Sequence, residues 1–134
     1  MNSHIGLLVL FTLILCSCKG ALESGDIPHE SYVPYGIWIY AGNDEDTRIY
    51  YSAPYFKRDQ HGISLEEKNV YVERTAGWCL TPPVTYYNVT GTWEVLDDKN
   101  LLITCSSCIE STRIMEIIHL SRNELRVKLR SIRE

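Results

Sequence analysis

From Met115 to Arg130 apolar and charged residues alternate about a turn at Ser121-Arg122-Asn123. Leu125, Val127 and Leu129 fall on one phase and Arg126, Lys128 and Arg130 on the other. A side-chain period of two means an extended chain with one buried and one wet face, so this stretch reads as an antiparallel hairpin whose register is well specified. The run Ile117-Ile118-His119-Leu120 cannot keep that period throughout, which predicts a bulge or a change of buried face near His119. No stretch of ten or more residues carries a helical stripe. The chain is therefore constrained to a β fold.

Earlier segments agree. Residues 35–40 and 48–51 are rich in aromatic and β-branched residues and flank the turn chemistry of Gly42-Asn-Asp-Glu-Asp46, which makes a first hairpin. Short strands are expected at 62–66, 70–73 and 84–88. From Gly91 onward Trp93, Val95, Leu101 and Ile103 share one face and Thr92, Glu94 and Thr104 the other, with Asp97-Asp98-Lys99-Asn100 turning the chain. About eight sequential strands on tight turns predict an all-β domain, either a single antiparallel up-and-down β-barrel or a strongly curled sheet.

The amino-terminal third reads differently. The apolar run from Ile5 to Cys16 is too short to span a bilayer, which takes roughly 20 residues, and fits the core of a secretory signal. Leu15 three places before Cys18, with small Ser17 directly before it, matches a bacterial lipobox. Residues 1–17 are thus expected to be a lipoprotein signal peptide and Cys18 the lipidated residue, tying the protein to a bilayer through acyl chains. Residues 18–34 mix Gly, Ser, Pro and charges without a hydrophobic period, as a flexible tether would. The barrel domain occupies 35–134. Lys19 stands where Asp would argue for inner-membrane retention, so the expected address is the cell envelope on the outer-membrane side. A net charge of −4 gives no basis for nucleic-acid binding, and the domain is expected to be monomeric.

Three cysteines follow Cys18: Cys79, Cys105 and Cys108. In an oxidising compartment they are disulfide candidates, and a bridge from Cys79 to Cys105 or Cys108 is the favoured pairing. Cys105-Ser-Ser-Cys108 lacks the helix that activates redox Cys-x-x-Cys pairs. A zinc site would need His119 beside these thiols, and the Gly42–Asp46 turn lacks the closing Glu of a calcium loop. No metal, cofactor or catalytic residue is expected, and no hydrolase or nucleotide-binding signature is present. Asn88-Val-Thr90 reads as an accidental sequon.

Gly36-Ile-Trp38, Val72-Glu-Arg74 leading into Gly77-Trp-Cys-Leu-Thr-Pro-Pro83, Thr90-Gly-Thr-Trp-Glu94 and the closing hairpin together resemble small lipocalin-like lipoproteins of Gram-negative bacteria, across about residues 35–130. Leu80 stands where that run would carry Gly. The resemblance implies a calycin-type barrel behind a lipidated cysteine and no particular reaction. On that footing the chain is expected to be a membrane-anchored binding module rather than an enzyme. Trp38, Trp78, Trp93, Tyr40 and Tyr86 are the candidates to line a site for a small hydrophobic ligand. An envelope interaction or inhibitor module with a filled barrel is the alternative, since barrels of eight strands are just wide enough for their own side chains.

Overall fold

A computed structural model describes residues 33–77 and 82–132. The expected signal peptide, Cys18, most of the tether, Trp78 and Cys79 lie outside the described residues. Eight strands form a closed antiparallel barrel: β1 (Gly36–Asp44), β2 (Thr47–Ala53), β3 (Gly62–Glu66), β4 (Val70–Ala76), β5 (Tyr86–Val95), β6 (Asn100–Thr104), β7 (Thr112–Leu120) and β8 (Glu124–Ser131). The only helical segment among the described residues is a single 3-10 turn, Glu67–Asn69. Strands β3 to β8 follow one another as a meander, each paired with the next. The ring closes through the first hairpin, with β2 beside β8 and β1 beside β3. Neighbours around the barrel are therefore sequential except at two places, β2 beside β8 and β1 beside β3, and the 54–61 connection must pass across β1 to reach β3.

That crossing is held from both sides. Arg74 on β4 donates from Nε to the Lys57 carbonyl (2.9 Å) and from Nη2 to the Arg58 carbonyl (2.7 Å). Ile39, which alternation turns outward from β1, is buried all the same and shares a small recess with Ala53, Lys57 and Gln60 of the crossing segment. Gly62 makes the entry into β3 possible, since a Cβ there would stand 2.8 Å from the Trp38 carbonyl oxygen and 3.1 Å from the Phe56 ring.

The phases read from the sequence hold in the last hairpin. Leu125 and Val127 are fully buried, and Arg126, Lys128 and Arg130 lie outside, paired with Glu124 and Asp44, with Asp46, and with Glu116 respectively. The outward stripe is thus a compensated solvated face. The bulge falls where expected, between Ile117 and His119, and it turns Ile118 outward. A second bulge between Tyr40 and Gly42 was not anticipated, and Gly42 accommodates it at φ +141°. Val95, assigned to the buried face, is exposed at the end of β5. Apolar side chains of all eight strands fill the middle of the barrel, among them Leu65, Leu101, Ile103, Met115, Leu125 and Val127.

Candidate functional site at the polar mouth

The two ends of the barrel differ in chemistry. At the end where the chain enters, Trp38 donates its indole N–H to the Pro34 carbonyl (2.8 Å) and Trp93 to the Glu66 carbonyl (3.0 Å), with Tyr35 edge-on to Trp93 at 5.7 Å. Both tryptophans are core residues whose polar atoms are satisfied by backbone, so they close this end.

The other end is polar inside. On β4 the inward phase carries Tyr71 and then Glu73, and on β7 it begins with Arg113 before Met115 and Ile117. Arg113 Nη2 donates to the Tyr71 hydroxyl (2.7 Å) and forms an ion pair with Glu73 Oε2, while Tyr71 donates to the same carboxylate oxygen at 2.9 Å. Although burial alone would lower it, the Tyr71 oxygen and the Glu73 carboxylate hold the Arg113 pKa above its usual value. Its Nε is buried without a hydrogen-bond partner among the described residues.

Above this layer a pocket of about 250 Å³ opens between Tyr40, Asn43, Arg48, Tyr50, His61, Glu73 and Arg74. Tyr40 donates to Asn43 Oδ1 (3.0 Å) and meets Tyr50 edge-on, and His61 meets Tyr86, over which Arg74 also lies. Among the described residues neither Arg48 nor Arg74 is in an ion pair with a carboxylate. Arg74 spends its guanidinium on the Lys57 and Arg58 carbonyls and on Asn88 Oδ1 (2.9 Å), so Arg48 is the cation that the mouth offers to this recess.

Of the expected ligand-lining residues, Tyr40 lines this pocket, Tyr86 packs at its rim, and Trp38 and Trp93 lie at the opposite, closed end. Tyr50, Tyr71, Glu73, Arg113, Arg48, Arg74 and His61 are not among the ligand-lining candidates that the sequence offers. A signal existed: Arg113 shares its phase with Met115 and Ile117, and Glu73 shares its phase with Tyr71, so a base and an acid stand on buried phases of two strands. Such charges are rarely buried unless paired.

The disulfide differs from the expected pairing. Cys105 bonds to Cys108 in the connection between β6 and β7, rather than either of them to Cys79. The reason is local: a turn with Cys108 N–H donating to the Cys105 carbonyl (3.1 Å) brings the two Cα atoms to 5.3 Å. The zinc alternative fails on geometry as well. Thr104 pairs with Thr112, whereas His119 pairs with Arg126 seven residues further along β7, roughly 20 Å from these cysteines at strand rise.

Burial raises the pKa of the Tyr50 hydroxyl and raises that of Tyr71 well above the ordinary value of 10.0. A neutral acid with a raised folded pKa adds stability that is complete below the unfolded value and is lost as pH rises from there toward the folded one. In an alkaline titration followed by tyrosinate absorbance, two of the nine tyrosines should ionise only as the barrel unfolds. All nine ionising with the fold intact would contradict their burial.

The chain matches no family model, no curated protein and no solved structure.

Proposed function

We propose that this chain is a lipid-anchored, lipocalin-like lipoprotein of the cell envelope whose barrel acts as a filled scaffold and whose polar mouth binds a small acidic ligand. The support for the anchor is the Leu15, Ser17 and Cys18 pattern after a short apolar run. The support for the ligand class is one observation: Arg48 lines the open recess without a carboxylate partner among the described residues, while Arg74 beside it is occupied by the Lys57 and Arg58 carbonyls and Asn88. An arginine fork matches a carboxylate or phosphate bidentately. A small hydrophobic guest deep in the barrel is the weaker reading. A chamber for it would leave its lining accessible, and Leu65, Tyr71, Ile103 and Met115 are all at 0% exposure.

Calorimetric titration of the exported full chain with inorganic phosphate and with small dicarboxylates tests the site. Arg48→Ala is expected to weaken binding of whichever acid binds by about tenfold, the equivalent of one charged hydrogen bond at about 1.5 kcal/mol. If no acid binds, or if Arg48→Ala binds as tightly, the mouth is not an acid site. Loss of palmitate incorporation and of membrane association in Cys18→Ala tests the anchor separately.

A further inference from the structure

The disulfide lies at the same end of the barrel as the polar mouth, and its two sulfurs are not equivalent. Cys105 is buried at 1% exposure against β5, where even a Cβ added at Gly91 would come within 2.7 Å of the Cys105 Cβ. Cys108 is only half-buried. It borders a recess of about 170 Å³ shared with Glu73, Thr75, Ala76, Tyr87 and Ser107, and exposed Ile109 stands at the rim. Glu73 Oε2 lies 3.7 Å from Cys108 Sγ, and that carboxylate is held in place by Arg113 and Tyr71.

The bridge spans a sequence separation of only 3. Cross-links that close short loops remove the least entropy from the unfolded chain, and the turn is already held by backbone hydrogen bonds from Cys108 N to Cys105 O and from Cys105 N to Ser111 O. As a staple the bond adds little to what the backbone provides. As a reactive group it has access, a definite attacked sulfur and an adjacent proton acceptor, which are conditions that govern thiol–disulfide exchange.

We infer that Cys105–Cys108 is an exchangeable disulfide that small thiols open at Cys108, with Glu73 as the proton acceptor. The incoming thiol passes its proton to Glu73, and its sulfur attacks Cys108 Sγ. The Cys108–Cys105 bond breaks, and its electron pair leaves on Cys105. The proton returns through solvent to the Cys105 thiolate. The products are a mixed disulfide on Cys108 and a thiol on Cys105, with no net oxidation. The backbone hydrogen bonds keep Cys105 within reach, so attack by Cys105 on Cys108 expels the small thiol and restores the bridge. Exchange thus places or removes a substituent beside Glu73, which borders both recesses.

The test is to incubate the exported, oxidised full chain with the tripeptide thiol glutathione, alkylate free thiols and map the products by mass spectrometry. The adduct is expected on Cys108, with the alkyl group on Cys105. An adduct on Cys105, or a bridge that opens only after the chain is unfolded in denaturant, would overturn the inference. The pH profile tests Glu73 itself. Glu73→Gln should slow adduct formation about tenfold near neutrality, a modest general-base effect, and leave it unchanged where the small thiol is already ionised. Equal slowing at every pH, in a variant whose circular dichroism is unchanged, would remove Glu73 from the proton step.

Discussion

Trp93→Ala is expected to cost about 3–5 kcal/mol of folding stability, the range for truncating a large aromatic in a packed core. That is a large fraction of the roughly 5–15 kcal/mol available to a domain of this size. Trp93 lies on the inward phase of β5, paired with Ile103 across the ladder, edge-on to Tyr35 and hydrogen-bonded to the Glu66 carbonyl. Truncation would leave a cavity at the closed end and strip that carbonyl of its donor. Trp93→Phe separates the two contributions, because it keeps most of the apolar surface and loses the hydrogen bond, and its cost should be about 1–2 kcal/mol. Urea unfolding at unchanged m-value measures both. A Trp93→Ala midpoint close to that of the parent chain would mean that this end of the barrel is not packed as described.

The second large effect concerns the mouth. Glu73→Leu leaves the Arg113 guanidinium, whose side chain is 5% exposed, with the Tyr71 hydroxyl alone. Removing one partner of a buried ion pair costs about 3–5 kcal/mol, and the lower end applies here because the Glu73 side chain is 20% exposed. Arg113→Met with Glu73→Leu should recover most of that loss, since apolar pairs of similar volume often replace buried ion pairs without penalty. The double-mutant cycle then reads a coupling of about 3 kcal/mol or more, because each single variant breaks the pair and the double variant does not. Additive losses would show that the two groups do not act as a pair. The cycle also bears on the proposed site, because Glu73 borders the recess at the mouth and stands beside the disulfide.

Local patterning carried much of the architecture. The expected strand at 62–66 coincides with β3, the inward and outward phases of β8 are as read, and the bulge follows from four residues that cannot obey one period. These features were legible because alternation depends only on neighbours in the chain. Gly91 was less transparent: it divides two expected segments in the sequence, yet β5 runs through it from Tyr86 to Val95. The glycine is there for close approach, since a Cβ would meet the Thr104 carbonyl oxygen at 2.3 Å, and not for a turn.

The β class, the expectation of about eight strands, their phases and the filling of one face with apolar side chains follow from the residues alone, because each depends on near neighbours in the chain. Long-range pairing places β1 between β2 and β3, because a period of two says which face is buried but not which strand lies alongside. It also decided the pairing of Arg113 with Glu73 and Tyr71, which requires three separate register choices to bring β4 and β7 side chains together across the interior. The cysteine partners were settled at the shortest range, by a turn that holds Cys105 and Cys108 at bonding distance whatever the rest of the chain does.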